Sequence, residues 1–207
     1  MSNRRARESD RGKLYPLICT LIALALGTLA LTSCGEESPT TLIKPDDFEA
    51  AKGEAHDAGG GIVGMPPCRA LREFNQDLNL AASGEVTGTT IGIEGGGSVF
   101  AVVFSPTATP PSATEVVADV PGNVEDCVKE TAGDPSRKVE ELSDLPLDAT
   151  GFHGEENNST SEYAYAVTSD DRLLVVGTEY TTGDNPPVSI DRLLELAADR
   201  APDVSTD

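Results

Sequence analysis

Short segments rich in apolar and β-branched residues predict a set of β-strands. Two pairs of segments, one flanking three glycines and one flanking a Ser-Asp-Asp turn, predict two hairpins. The segment 98–105 is apolar on both faces, which is typical of a central strand covered on both sides. In contrast, residues 145–158 show no clear period and are predicted to be irregular. The predicted strands are residues 85–94, 98–105, 136–143, 161–168 and 172–180.

Helical spacing of apolar residues predicts three or four helices around these strands. One helix from Cys68 to Leu80 follows two prolines, and Asn123 is expected to cap a second that ends at Thr131. Ser189 is expected to cap the last helix, and a short helix between residues 43 and 56 is possible, with Asp46 as its cap. The predicted fold class is therefore α+β, a mostly antiparallel sheet packed with three or four helices.

The first 33 residues are predicted to be a secretory signal peptide. Residues 1–13 contain five basic and two acidic residues, so the start of the chain is positively charged. An apolar run from Leu14 to Leu31 follows, and small residues then precede Cys34. An uncleaved signal anchor is the alternative, since a run of this length is at the low edge of what spans a bilayer.

The stretch Leu31-Thr32-Ser33-Cys34 resembles the lipobox of bacterial lipoproteins, with leucine three positions before the cysteine. This resemblance implies signal cleavage between Ser33 and Cys34 and lipidation of the Cys34 sulfur by diacylglycerol, with palmitate among the acyl chains. A single acyl chain binds a membrane only marginally, and a second chain makes the attachment stable. The protein is therefore expected at the cell membrane, lipid-anchored and facing the extracytoplasmic side.

Composition sets the domain organisation and excludes one class of partner. The chain carries a net charge of −20, and removal of the signal, with its five basic and two acidic residues, leaves −23. Such a surface repels nucleic acid, so no nucleic-acid partner is expected. The predicted organisation is a signal peptide at residues 1–33, a flexible tether at 34–42, a single α+β domain at 43–201 and a loose tail at 202–207.

The cysteines predict one disulfide. Cys19 leaves with the signal and Cys34 is predicted to be lipidated, so Cys68 and Cys127 remain in a compartment that permits disulfides. A metal site would need more ligands than the two histidines of the chain supply. A redox pair would be expected to lie closer together in the sequence.

No recognisable catalytic motif is present in the sequence. Ser98 follows three glycines but lacks the second half of a nucleophile elbow. His153 lies near the Glu155-Glu156 pair, which could form an acid/base or metal cluster, although adjacent glutamates are expected by chance in so acidic a chain. Calcium at Asp170-Asp171 or at Glu155–Asn157 would lack the spaced ligands of an EF-hand loop. Catalysis, a cofactor and a metal are therefore not expected.

Tyr163 and Tyr165 lie on one face of a predicted strand and allow two interpretations. They could line an apolar ligand groove, or they could pack in the core and across strands, which is the more common role of such a pair.

Over residues 68–201 the chain resembles the secreted lipoproteins of mycobacteria and related actinobacteria, including the extracellular sensor domain of a mycobacterial Ser/Thr kinase. The resemblance lies in the order of Cys68 at a helix start, the strand SVFAVVFS, Cys127 in a helix, the hairpin YAYAVTSDDRLLVVGTEY and the helix SIDRLLELAADRA. It implies a disulfide-bearing α+β fold with a cleft and a non-catalytic, ligand-binding or sensor-like role. The chain departs from the kinase sensor in having no kinase and only one cysteine pair.

The expected function is thus a membrane-anchored extracytoplasmic binding module whose ligand is a small apolar molecule, a cell-wall fragment or an envelope protein. One alternative is an accessory interaction subunit of a cell-envelope complex without a small-molecule pocket. The other alternative is an unrecognised hydrolase.

Overall fold

The computed structural model describes residues 41–48, 56–57, 61–62, 64–81, 86–94, 96–105 and 111–204. The predicted signal peptide, with Ser33 and Cys34, lies outside these residues. The strands are β1 (His56–Asp57), β2 (Val86–Gly92), β3 (Ser98–Phe104), β4 (Arg137–Leu142), β5 (Thr150–Glu156), β6 (Ser159–Val167) and β7 (Leu173–Thr181). The helices are α1 (Arg69–Ala81), α2 (Ala113–Thr131) and α3 (Ile190–Arg200), with 3₁₀ turns at Pro45–Asp47, Pro146–Asp148 and Ala201–Asp203.

All seven strands form one sheet in the order β1-β2-β3-β7-β6-β5-β4, and every neighbouring pair is antiparallel. The predicted α+β class is therefore confirmed. Both predicted hairpins, β2–β3 and β6–β7, are present. Strand β3 lies between β2 and β7 with residues 99–104 fully buried, as its apolar character on both faces predicted.

The prediction of an irregular segment at residues 145–158 is wrong, because β5 occupies residues 150–156. Two glycines and two glutamates hide any period in this strand, and Phe152 is its one large buried side chain. Hydrogen-bonded ladders to β4 on one side and β6 on the other form the strand. Its stability therefore comes from non-local backbone pairing rather than from its own side chains.

Helix α2 begins ten residues before the predicted start at Asn123. Ser112 caps it in a capping box, in which the hydroxyl accepts from the Glu115 N–H and the Glu115 carboxylate accepts from the Ser112 N–H. Asn123 lies inside the helix, where its amide donates to the Asp119 carbonyl at 2.9 Å.

Pro121 lies inside α2, and a proline in a helix interior removes one hydrogen bond from the helix. The carbonyl that loses its partner is that of Val117, four residues earlier. The hydroxyl of Thr150 on β5 donates to this carbonyl at 3.0 Å. A contact from another element thus satisfies the group that Pro121 leaves open, and the helix continues.

The sheet is covered on both faces. On one face, here called the α1/α2 face, the core combines residues of α1 and α2 with inward side chains of the sheet, among them Phe100, Phe104, Phe152, Tyr163 and Tyr165. On the other, the α3 face, α3 and the segment 41–48 pack on side chains that include Val99, Ala101, Val103, Ala164, Ala166, Leu174 and Val176. Alternation along each strand assigns its residues to the two faces.

The predicted disulfide is confirmed. Cys68, immediately before α1, is bonded to Cys127 in α2, and both residues are fully buried. Helical spacing predicts a shared apolar face for Val124, Cys127, Val128 and Thr131. Val124, Cys127 and Thr131 do lie on the inward stripe of α2. Val128 is 44% exposed, because it lies one position beyond the buried face.

Packing on the α3 face extends slightly beyond the predicted domain bounds. Leu42, assigned to the tether, is fully buried, and Val204, assigned to the loose tail, is 5% exposed. The buried guanidinium of Arg172 fixes the C-terminal segment by donating to the carbonyls of Ala201 and Val204. Of the possible helix at residues 43–56, the structure shows a 3₁₀ turn and, at residue 56, the start of β1, and residues 49–55 lie outside the description.

Candidate functional site

A short segment, Gly64–Pro67, crosses the α1/α2 face just before α1, and it is called the strap below. It passes over a row of directly opposed residues on three strands, Gly154 on β5, Ser161 on β6 and Glu179 on β7. Pro67 lies against Gly154, where a Cβ atom would be 2.8 Å from the proline ring. A side chain at residue 154 would therefore push the strap off the sheet.

Gly64 makes the second close approach of the strap. Its φ is +95°, a conformation that glycine adopts readily and other residues rarely do. A Cβ atom here would collide with the hydroxyl of Tyr163 and the carboxylate of Glu179. The sheet and the strap thus fit each other only with glycine at this position.

Side-chain hydrogen bonds fix the strap and the chain before it. The Met65 N–H donates to Glu179 Oε1 at 3.2 Å. The Asn79 amide pairs with both backbone groups of Ile62, accepting from its N–H at 2.7 Å and donating to its carbonyl at 3.1 Å. With the disulfide at its far end, the strap is a fixed part of the fold.

Glu179 lies beneath the strap and is the carboxylate to which both the strap and the sheet donate hydrogen bonds. The fully buried Tyr163 hydroxyl is hydrogen-bonded to it, and burial, together with the Glu179 charge, raises the pKa of Tyr163 well above its ordinary value. Tyr163 therefore stays a neutral donor, and Glu179 accepts from it and from the strap backbone. These two bonds hold the carboxylate in one orientation.

The larger of two clefts beside the strap has a volume of about 550 Å³ and is called the strap cleft. Its walls are the strap, the β5–β6 turn and the row beneath, comprising Gly64, Met65, Pro67, Glu156, Asn157, Asn158, Ser159, Ser161 and Glu179. Two carboxylates, two amides and two hydroxyls contribute to these walls. Among the described lining residues there is no lysine, arginine or histidine, so the cleft is acidic and rich in hydrogen-bond acceptors.

The smaller cleft lies on the α1 side of the strap, has a volume of about 280 Å³ and is called the Asn75 cleft. Asn75 is 5% exposed, and its Oδ1 accepts from the buried Tyr165 hydroxyl at 2.5 Å. The amide nitrogen of the same side chain, also buried, has no hydrogen-bond partner. An unsatisfied buried donor costs about 1–3 kcal/mol, so this group is unusual in a folded protein.

His153 does gather carboxylates, as its sequence context suggested. Its Nδ1 lies 3.1 Å from Glu162 Oε1 and its Nε2 lies 3.2 Å from Glu155 Oε1. The Tyr180 hydroxyl donates to Glu162 at 3.3 Å, and burial, followed by the charge of Glu162, raises the pKa of Tyr180 to about 12. This cluster is on the α3 face, since Glu162 is directly opposite His153 and two residues from Ala164.

The cluster is separate from both clefts, because His153 lines neither of them. Glu156, its predicted neighbour, points the other way and lines the strap cleft.

The calcium site considered at Asp170-Asp171 is occupied by a structural ion pair. Asp170 lies 2.7 Å from the Arg172 guanidinium, so its carboxylate stabilises the fold. Across the described part of the chain, no group of three histidine, cysteine or acidic residues is arranged to hold a metal ion.

The packing interpretation of the tyrosine pair is confirmed. Tyr163 stacks on Phe152 with ring centroids 4.9 Å apart, and Tyr165 meets Phe74 edge-on at 5.8 Å. Sequence reasoning missed Glu179 and Asn75. For Asn75 a signal existed, because an asparagine stands within the apolar stripe of a predicted amphipathic helix. For Glu179 there was none, since its role depends on the strap.

Comparison with known protein families, with curated proteins and with solved structures finds no match to this chain. The resemblance to actinobacterial lipoproteins and to the kinase sensor domain therefore stays a prediction. Within the described residues, none of the helices combines the length and the apolar character needed to cross a membrane.

Proposed function

We propose that this protein is a lipid-anchored extracytoplasmic module that binds a small polar ligand in the strap cleft without catalysis. The observation that carries the proposal is Glu179, a carboxylate held in place by Tyr163 and the strap backbone at the edge of an open cleft. Small-molecule sites are clefts of several hundred Å³ in which a few precisely placed polar groups orient the ligand. The anchor rests on the lipobox-like stretch that ends at Cys34.

The lining of the strap cleft favours a ligand with hydrogen-bond donors, and above all an amine. Glu156 and Glu179 bring negative charge, and no described basic side chain lines the cleft, although Arg137 lies directly opposite Glu156 on β4 and interacts with its charge. An apolar ligand would remove these groups from water without offering partners, which is unfavourable. Of the three expected ligands, an amine- or hydroxyl-bearing cell-wall fragment therefore fits the cleft better than a small apolar molecule.

The His153 cluster gives little support to the hydrolase alternative. Both ring nitrogens of His153 already face carboxylates, so neither is directed toward a substrate. A general base must reach the proton that it removes. The absence of catalysis accordingly remains part of the proposal.

The accessory-subunit alternative has weaker support than the binding site. Among the described residues, the large apolar side chains that are exposed belong to separate elements, namely Met65 on the strap, Leu80 on α1, Val128 on α2 and Leu147 before β5. A protein-binding surface would be expected to gather such side chains in one patch.

Native mass spectrometry of the protein extracted from its host membranes tests the proposal. We expect an additional mass that survives under native conditions and leaves on denaturation. Glu179→Gln should lose this mass, because glutamine keeps an acceptor for the Met65 N–H but removes the charge. Glu141→Gln on the exposed edge of β4 is the control and should retain it. A ligand that stays bound to Glu179→Gln would contradict the proposed site, and no bound mass in the wild type would favour the accessory alternative.

The denatured sample tests the anchor separately. We expect a mass that begins at Cys34 with a diacylglycerol and acyl chains attached. A chain that still carries residues 1–33 without lipid would refute the lipoprotein assignment while leaving the ligand result intact.

A further inference from the structure

We infer that the Asn75 cleft is a second binding site, specific for a carboxylate group attached to a short apolar body. It is separate from the acidic strap cleft and does not depend on the ligand proposed there. Two observations converge on this cleft, an unpartnered buried amide and an arginine outside the ion pairs of the fold.

The first observation is the amide nitrogen of Asn75. Its oxygen already accepts from Tyr165, so the orientation of the side chain is set and the nitrogen is left as a donor. Asn75 is 95% buried and lines the cleft, so an acceptor group bound there would satisfy this donor. Burial makes such a donor selective, since it remains unsatisfied unless a matching group binds.

The second observation is Arg72, which lies one helical turn before Asn75 and lines the same cleft. Its Nε donates to the Cys68 carbonyl at 3.0 Å, which orients the guanidinium plane. The chain has 35 acidic and 15 basic residues, yet Arg72 is in none of the ion pairs formed within the described part of the chain. Its terminal nitrogens are thus available to an anion.

Together these groups match a carboxylate. One oxygen can accept from the Asn75 amide and the other from the Arg72 guanidinium, which prefers planar anions with two oxygens. Ile62, Met65 and Pro66 supply apolar surface beside these donors. No aspartate or glutamate is among the described residues that line the cleft.

A titration with hexanoate, followed by saturation-transfer-difference NMR, tests the inference on the full chain in phosphatidylcholine nanodiscs. Hexanoate carries the carboxylate and a short apolar body, and hexanamide is its neutral counterpart. We expect saturable binding of hexanoate and much weaker binding of hexanamide. Arg72→Gln should weaken hexanoate binding roughly tenfold, the effect of losing one charge-assisted hydrogen bond.

Asn75→Asp gives an independent test, because aspartate still accepts from Tyr165 but replaces the amide donor by a negative charge. It should weaken hexanoate binding at least as much as Arg72→Gln, and a thermal melt confirms that the variant is folded. Arg69→Gln is the matched control, since Arg69 is exposed on the same helix, pairs with Glu73 and lines neither cleft.

The outcomes separate this inference from the proposed function. Loss of binding in Arg72→Gln and Asn75→Asp, with Arg69→Gln and Glu179→Gln unchanged, would support the site. Absence of saturable hexanoate binding, or equal binding by Arg72→Gln and the wild type, would overturn it. Loss of hexanoate binding in Glu179→Gln alone would place the hexanoate carboxylate in the strap cleft and would likewise overturn the inference.

Discussion

The two faces of the sheet are built from different side chains. The α1/α2 face is packed with aromatic rings, and two of them are tyrosines whose hydroxyls lie inside the protein. The α3 face is packed with small and aliphatic residues, and among the described residues its buried aromatic is Phe48 from the segment 41–48. Alanines at residues 101, 164, 166 and 197 are among the buried residues between α3 and the sheet.

This difference explains why the strap cleft and the Asn75 cleft lie on the α1/α2 face, whereas a cleft of about 290 Å³ beside α3 has no buried tyrosine in its described lining. A buried tyrosine hydroxyl needs a polar partner, and on the α1/α2 face the partners are Glu179 and Asn75. Each of these partners also lines a cleft beside the strap. On the α3 face the buried guanidinium of Arg172 donates hydrogen bonds to two backbone carbonyls instead. We interpret the first face as the binding layer and the second as its scaffold.

The two faces are also stabilised by different interactions. Removal of the disulfide tests its contribution to the stability of the α1/α2 face. The bond closes a loop with a sequence separation of 59 residues. Replacing Cys68 and Cys127 together by serine should lower the free energy of unfolding by about 4 kcal/mol in the chain-entropy model. Urea unfolding with and without a reductant measures the loss. The reductant should destabilise the wild type equally and leave the double variant unaffected, and a loss below about 1 kcal/mol would contradict the prediction.

Substitution of Arg172 tests how the C-terminal segment is held on the α3 face. Arg172→Leu would leave the carbonyls of Ala201 and Val204 buried without donors and Asp170 without its ion pair. We expect a loss of about 3 kcal/mol in the free energy of unfolding, since each unsatisfied buried group costs about 1–3 kcal/mol. Hydrogen exchange should show faster opening of α3 and the segment after it.

Arg192→Leu is the control for this change. Arg192 is exposed on α3, and its contact with Glu195 is 4.0 Å long, so its removal should cost less than about 0.5 kcal/mol. Equal losses in the two variants would show that the buried guanidinium has no special role. Ligand binding in the strap cleft should survive Arg172→Leu at temperatures where the variant is folded.

The sequence predicts those elements whose pattern is local. Strands β3, β6 and β7 and helices α1 and α3 carry their own apolar run or period, and Ser189 does cap α3 by accepting from the Arg192 N–H at 3.4 Å. Strand β5 and the first half of α2 could not be predicted, because non-local contacts decide both. The ladders to β4 and β6 form β5, and Thr150 supplies the hydrogen bond that Pro121 removes from α2.

The candidate site was less predictable than the fold. His153 and its acidic neighbours stand out in the sequence, yet the structure places them away from both clefts. Glu179 is one of many glutamates and acquires its role only because Gly64 lets the strap pass close above it. Such a site depends on contacts between residues 114 positions apart, which single-sequence periodicity does not report.

The smallest predicted effect concerns how the N-terminal segment is held on the α3 face. Asp47 binds Arg200 through both oxygens, at 2.6 and 2.8 Å. The hydrogen bond from Arg200 lowers the pKa of Asp47, although burial opposes the shift. Because the folded-state pKa is below the unfolded value of about 3.9, the stabilisation is complete above that pH and is lost as the pH falls through the folded-state pKa.

Asp47→Asn should therefore cost about 1 kcal/mol at neutral pH, the upper range for a partly exposed ion pair. The stability difference between the wild type and this variant should stay constant from neutral pH down to about pH 4 and then shrink toward zero. Urea unfolding at a series of pH values measures this difference, and Asp46→Asn is the control because Asp46 is exposed and makes no contact with Arg200 in the structure. A difference that persists unchanged at low pH would mean that Asp47 acts through packing rather than charge. The ionic contribution to the α3 face would then come mainly from Arg172, and the contrast with the disulfide of the α1/α2 face would be weaker.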